Sequence, residues 1–197
     1  MRRRHYLNES MKIKMILISL VAHCSQLLGQ DITKEHWASC LQITKEDKTY
    51  SGLTISSLSL YEFKTIIRFK GETEGWHRFG VGVSGGFNDG SQTVLLIKLG
   101  EDGLWAKKAE QDEAELVCPF PLAVGQKWMR GEQTCCLSGI RDFEGEEGTY
   151  EDCLVFEIEN KQGGETVKSE IWYAPEVGQI FSRTRDDKYS RTLRRTR

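Results

Sequence analysis

The sequence predicts a mainly β protein, built as one or two strongly twisted antiparallel meander sheets, half-barrel-like, with one short N-terminal helix. Three observations carry that expectation. Apolar residues recur with period two through most of the chain, as in strands with one buried face. Turn residues punctuate those runs at hairpin spacing. Only the segment from Asp31 to Ile43 has a helical pattern.

The first thirty residues stand apart. Lys12 and Lys14 lead into the apolar run from Met15 to Ala22, and polar sequence begins at Asp31. That is the three-part layout of a secretory signal, with an apolar core too short to span a bilayer. Residues 1–30 are therefore expected to be a signal peptide, with Met11 a candidate true start. Cys24, at the end of the apolar run, is a candidate lipidation site, although His23 stands where a lipidating peptidase prefers a small residue. The expected location is exported, periplasmic or secreted, with a lipid anchor through Cys24 as the alternative. No other segment is apolar enough to cross a membrane.

Residues 31–197 are expected to form a single β domain of two meanders, about 50–108 and 122–197. An acidic, Pro-containing crossing, 109–121, would join them. In the helical segment Asp31 is placed to cap, and Ile32, His36, Trp37, Cys40 and Leu41 share one side. In the first meander Tyr61, Phe63, Thr65, Ile67 and Phe69 alternate with charged residues. His77, Phe79, Val81 and Val83 do the same, and runs from Ser91 and Leu104 come next. Pro119 and Pro121 cannot donate to a ladder, which makes the crossing an extended linker or a sheet edge. The second meander runs from Gln126 through an acidic loop at 142–147, then the strand TYEDCLVFEIEN, a glycine turn at 161–164, ETVKSEIWYA, GQIFSRTR and the basic tail.

Composition narrows the function classes. The 197 residues are 39% hydrophobic and 28% charged, a globular balance that argues against disorder. The net charge of −2 hides an asymmetry. Residues 31–182 hold 15 basic and 26 acidic residues, and residues 183–197 hold seven basic and two acidic. The tail could meet an acidic envelope partner, or form a last strand in which Tyr189, Arg191 and Leu193 alternate with Ser190, Thr192 and Arg194. Nucleic acid is not an expected partner for so acidic a body.

The motifs that suggest chemistry are weak. Gly80, Gly82 and Gly85 fit G-x-G-x-x-G, but the next residues, Gly86 to Gly90, make a turn into another strand and not the helix a phosphate cradle needs. Cys135 or Cys153 with His77 makes a dyad on paper, without a nucleophile-elbow pattern. Asp112, Glu113 and Glu115, and Asp142, Glu144, Glu146 and Glu147, lack the spacing of a calcium loop. No catalytic residue, metal site or cofactor is expected; the expected function is a non-enzymatic binding module for an apolar ligand or envelope partner, with an envelope hydrolase using Cys and His or carboxylates, or a purely structural or assembly protein, as the alternatives. With five cysteines after the leader, Cys135 or Cys136 is a candidate disulfide partner of Cys153 across the acidic loop. Trp76, Trp105, Trp128, Trp172 and Tyr173 are the candidates for a groove that would take a lipid or other apolar ligand, should the sheet curl more widely than its helix can fill. Their other role is to build the core.

PFPLAVGQKW, GTYEDCLVFEI and WYAPEVGQIFSRTR, taken in order, resemble a pattern found in secreted, largely uncharacterised bacterial envelope proteins. That pattern runs Pro-Leu-x-x-Gly-x-x-Trp, Gly-x-Tyr-x-x-Cys and Tyr-Ala-Pro-x-Val-Gly, and the resemblance covers roughly residues 100–185. It implies a fold similar to half-barrel lipoprotein carriers, with a twisted sheet curled round a helix, and it brings no catalytic residues. The chain departs from the pattern at Glu176, where glycine is usual. Position 176 is therefore expected not to need positive φ, whereas Gly178 is free to adopt it.

Overall fold

The computed structural model of the chain describes residues 32–196, apart from 42, 44, 57–59, 86–91, 147, 163 and 187–188. The leader, Met11 and Cys24 lie outside the described residues. One helix, α1 (Lys34–Cys40), precedes twelve strands. They are β1 (Lys48–Ser56), β2 (Leu60–Thr73), β3 (Trp76–Ser84), β4 (Gln92–Leu99), β5 (Gly103–Lys108), β6 (Glu115–Pro119), β7 (Lys127–Arg130), β8 (Gln133–Gly145), β9 (Gly148–Gln162), β10 (Glu165–Ala174), β11 (Gly178–Arg185) and β12 (Tyr189–Thr196).

The two meanders are halves of a single antiparallel sheet. Its order is β6-β5-β4-β3-β2-β1-β12-β11-β10-β9-β8-β7, so the ladder between β1 and β12 fuses them. The basic tail is thus an interior strand, paired with β1 on one side and β11 on the other. The acidic crossing supplies β6, one edge of the sheet, and β7 is the other. These two edges are consecutive in sequence, and the sheet curls until they meet.

Where β6 and β7 meet, side chains take over from the ladder. The Trp128 indole N–H donates to the carbonyl of Val117 at 3.1 Å, and Arg130 Nε donates to Glu115 Oε2 at 3.0 Å. The two pairs, Val117 with Trp128 and Glu115 with Arg130, keep the register of an antiparallel hairpin. The barrel-like sheet is therefore nearly closed.

One face of the strands points inward. Tyr50 and Thr54 on β1, Phe63 and Thr65 on β2, Phe79 on β3, Leu104 on β5, Cys118 on β6, Cys135 and Leu137 on β8 and Phe156 on β9 are all buried there. The opposite face carries the exposed Ile55, Leu60 and Met129. Packing at two points requires glycine. A Cβ at Gly52 would fall inside the Phe63 ring, and one at Gly103, where φ is +152°, would strike the Cys118 carbonyl of β6.

The helix plugs the inner face beside the seam. Trp37 and Cys40 are buried against Leu104, Cys118, Leu122, Leu137 and Leu154, and Trp37 lies 4.9 Å from the Phe120 ring. It is shorter than expected, and Thr33 caps it in place of Asp31, which lies outside the described residues. The Thr33 hydroxyl accepts from the His36 N–H. His36 Nε2 meets the Asp152 carbonyl at 2.8 Å, and Ser39 accepts from the Glu176 N–H. That last contact overturns the expectation for Glu176, whose φ is +61°. The helix holds its N–H in place and offsets the strain that a Cβ brings to the left-handed region. Gly178 also has positive φ, at +79°.

The acidic loop is also placed differently. β8 continues to Gly145 and β9 begins at Gly148, so residues expected in a loop at 142–147 belong mostly to a long hairpin arm. Register shifts near Ser138 and Asp142, and Asp152 at φ +51°, bend this arm. Phe143 thereby reaches Trp172 at 5.2 Å and Phe181 at 5.3 Å on the outer face of β10 and β11.

The seam makes a stability prediction. Trp128→Phe keeps an aromatic ring but deletes the indole N–H bond to Val117 and the second ring, so urea unfolding should show a loss of at least about 1 kcal/mol. Trp128→Ala, which also empties the packing against Phe156, should lose about 3–5 kcal/mol.

Candidate functional site

Two grooves open on the described surface. The first, a cleft of about 700 Å³, lies at the barrel mouth where α1 meets β3, β4 and β5. Its walls come from Trp37 and Ala38 on the helix, Trp76 at the start of β3, Leu99 at the end of β4 and Trp105 on β5. The local sequence dictates this placement. The tight turn Gly100–Asp102 closes with a Gly100 N–H bond to the Gly103 carbonyl at 2.8 Å. It also turns Asp102 back so that its carboxylate accepts from the Trp105 indole at 3.0 Å and fixes that ring. Lys107 Nζ lies 5.4 Å from the Trp76 ring centroid, at cation–π distance. Lys34 and Lys98 stand at the rim. Neither is in a salt bridge among the described residues.

The second groove, of about 750 Å³, lies on the outer face of β2, β1 and β12, under the bent arm of β8 and β9. Phe143, Tyr150 and Ile180 give it an apolar side, and Lys64, Arg194 and Glu62 give it charge.

The five aromatic groove candidates are thus distributed over three places. Trp76 and Trp105 share the mouth cleft. Trp128 and Tyr173 are packed inside, edge-on to Phe156 at 6.0 and 5.6 Å. Trp172 lies on the outer face against Phe143, with Arg141 over its ring and its indole N–H donating to Glu170. Trp37, in the cleft floor, is not among the groove residues that the sequence singles out. Its signal is the apolar side of the helical segment, which reads as core, and at 1% exposure it is core that shows one edge to the cleft.

The disulfide expectation is corrected. All five cysteines of the described chain are free. With Gly145 opposite Gly148, the register pairs Cys135 with Ile158 and Cys136 with Glu157, whereas Cys153 sits opposite Arg141. Either cysteine is about 13–17 Å from Cys153 along the ladder at about 3.3 Å per residue, well beyond the ~7 Å Cα separation a disulfide spans. A turn two residues earlier in the chain would have brought Cys136 opposite Cys153.

The hydrolase alternative finds no support at the thiols or at His77, and burial raises the Cys135 thiol as well. Burial pushes the Cys40 and Cys118 thiols up to about 12 and Cys153 up to about 11, which keeps them protonated and poorly nucleophilic near neutral pH. His77 Nε2 does meet a carboxylate, Glu72, at 3.0 Å. Glu72 also holds Lys45 at 2.7 Å, and that hydrogen bond, with the charges of Lys45 and His77, lowers its pKa. So stabilised a carboxylate is a poor base, and neither residue lines the two grooves. Among the described residues no three His, Cys, Asp or Glu side chains converge as a metal site would need. No described helix is long and apolar enough to cross a membrane.

Inside the barrel, two cations share one acceptor. Lys48 Nζ and Arg195 Nη1 donate to the Val177 carbonyl at 3.2 and 2.6 Å, and the Tyr50 hydroxyl donates to Gln179 O at 3.1 Å. Burial, and then the Arg195 charge, lower the Lys48 pKa to about 8.

The described residues form a twelve-stranded antiparallel barrel-like sheet with a helix at its mouth. No protein-family model matches the chain, and no curated protein matches it. Among solved structures it is similar to a protein from Bacteroides fragilis described as a "putative exported protein with YmcC-like fold". That likeness has 11% identity and a TM-score of 0.44, over 80% of this chain and 98% of the other.

Thiol labelling and pH-dependent unfolding test these environments. Iodoacetamide at neutral pH should label Cys136, the partly exposed thiol, ahead of the buried Cys40, Cys118, Cys135 and Cys153, and an unfolded chain prepared without residues 1–30 should yield five labels without reductant. For Lys48 the folded pKa, about 8, lies below the usual 10.5. Between those values the unfolded chain holds a proton that the folded chain has lost, so this group makes stability rise with pH. Unfolding of wild type and Lys48→Met should therefore converge by on the order of 2 kcal/mol from pH 8 to 10, with the thiols cancelling in the difference.

Proposed function

We propose that this chain is an exported, non-enzymatic cell-envelope protein that binds an apolar ligand in the mouth cleft. The observation that carries the reading is the pairing of two half-buried tryptophans, Trp76 and Trp105, with Leu99 and Ala38 in a cleft open to solvent. Large aromatic rings left accessible in a concavity, when Trp128 and Trp172 are spent on packing, are what recognition of an alkyl or acyl chain requires. The hydrogen bond from Trp105 to Asp102 pre-orders one wall, which lowers the entropic cost of binding. At the rim Lys34 and Lys98 are balanced by Glu101 and Asp102, so the apolar walls and not net charge favour an alkyl or acyl chain. Export is supported by the leader-like segment from Lys12 to Ala22.

The site contributes binding surfaces and one oriented indole. The Asp102 carboxylate at its edge is already engaged by the Trp105 indole, and the raised thiols, which lie outside the cleft, support the non-enzymatic reading.

The experiment is a titration of the exported chain with laurate, monitored by tryptophan fluorescence. Laurate should change the emission and bind saturably. Trp76→Ala combined with Trp105→Ala should weaken binding about tenfold or more, since each accessible ring contributes on the order of 1 kcal/mol. Saturable binding unaltered in the double variant, or no binding by the folded wild type, would sink the reading.

A further inference from the structure

The interior position of β12 gives the second groove a chemical identity. Ser51 on β1 is directly opposite Arg194 on β12 and directly opposite Lys64 on β2. Lys64, Ser51 and Arg194 therefore form one row on the outer face. Strands are about 4.8 Å apart, so the two cations flank the hydroxyl roughly 10 Å from each other, and each side chain can reach a group seated over Ser51. The row lies in the floor of the 750 Å³ groove, and the bent hairpin arm is its roof.

The end of that roof is a carboxylate. Glu146 Oε1 accepts from Arg194 Nη1 at 3.0 Å, with both side chains exposed, at 86% and 57%. Exposed pairs of this kind contribute little and exchange readily. Lys64 has no carboxylate partner in a salt bridge among the described residues. On the outer face the groove lining sets two cations, Lys64 and Arg194, against two carboxylates, Glu62 and Glu146, since the Arg195 guanidinium is turned inward to Val177. Displacing Glu146 from Arg194 therefore leaves a cationic floor. On the other side of the groove Phe143, Tyr150 and Ile180 present apolar surface that ends close to Arg194.

We infer that this groove is a binding site for an oxyanion carried on an apolar body, clamped between Lys64 and Arg194 over Ser51. Glu146 is an internal competitor that holds the Arg194 seat until the ligand's oxyanion displaces it. A charge-assisted bond to a guanidinium is short and directional, and the same donor can serve Glu146 or a phosphate or carboxylate, not both at full strength. The chemistry is shared by the headgroup of an amphiphile and by a free oxyanion; the apolar side of the groove favours the amphiphile. The site is separate from the mouth cleft and stands whether or not the cleft binds an alkyl chain.

Calorimetric titration with dodecyl phosphate and, separately, with inorganic phosphate tests the assignment on the full exported chain. Lys64→Gln and Arg194→Gln should each weaken dodecyl phosphate binding about tenfold, the loss of one charge-assisted bond. Glu146→Gln should strengthen it several-fold, because Arg194 is freed; were the pair merely structural, the same change would weaken binding or leave it alone. Trp76→Ala with Trp105→Ala should leave this site's affinity unaltered. The inference is overturned by an absence of binding, by affinity that ignores both Lys64→Gln and Arg194→Gln, or by unchanged or weaker binding in Glu146→Gln. Inorganic phosphate bound as tightly as dodecyl phosphate would overturn the amphiphile assignment. Circular dichroism on each variant separates a lost site from a lost fold, and Lys64, on the exposed face of β2, is the substitution least able to disturb folding.

Discussion

β6 and β7 are the two free edges of the sheet, and the contact between them carries no ladder. Unpaired strand edges invite pairing with other chains, and natural proteins cover, charge or twist them. Here Trp128 reaches across to a carbonyl of β6 while Arg130 holds Glu115, and the curl of ten intervening strands brings the edges into range. The helix then fills the space behind the seam, with Trp37 against Phe120 and Cys118 and Leu137 packed beside it. The mouth cleft exists because α1 sits there. Opening the seam would unseat the helix and spread the cleft walls.

The second joint is the ladder between β1 and β12, which pairs the first strand with the last. It is the most non-local pairing in the chain, and it decides the fate of the basic tail. Once β12 is interior, its period-two alternation sends Arg191 and Arg195 to the inner face and Arg194 to the outer one. Arg191 stacks on Phe63 at 4.2 Å, and Arg195 joins Lys48 at Val177. A tail that looks like a free polycation in sequence is divided between packing and a groove.

Aromatic residues divide in the same way. All five are half-buried, but Trp128, Trp172 and Tyr173 pack ring against ring with Phe156 or Phe143, whereas Trp76 and Trp105 line the cleft where the sheet ends. Burial on folding takes most of the aromatic surface, and recognition uses what the rim leaves open.

Period two at Phe63, Thr65 and Phe79, the turn glycines, the helical side of Trp37 and the edge-forming Pro119 were legible because each is a local consequence of backbone geometry. So was the opposition of Trp172 and Tyr173 across one strand. What the sequence could not place was anything set by partners distant along the chain. The position of one turn, two residues later than the acidic loop suggests, moves Cys135 and Cys136 away from Cys153. The Glu176 N–H, held at positive φ, donates to both the hydroxyl and the carbonyl of Ser39, on a helix 137 residues earlier. By itself the sequence determined strands, their inward faces and the one helix, since these arise from alternation and capping. Only the tertiary structure decided that twelve strands form one sheet, which tryptophans stay open and which arginines meet Ser51, because register and closure depend on pairings between residues far apart in the chain.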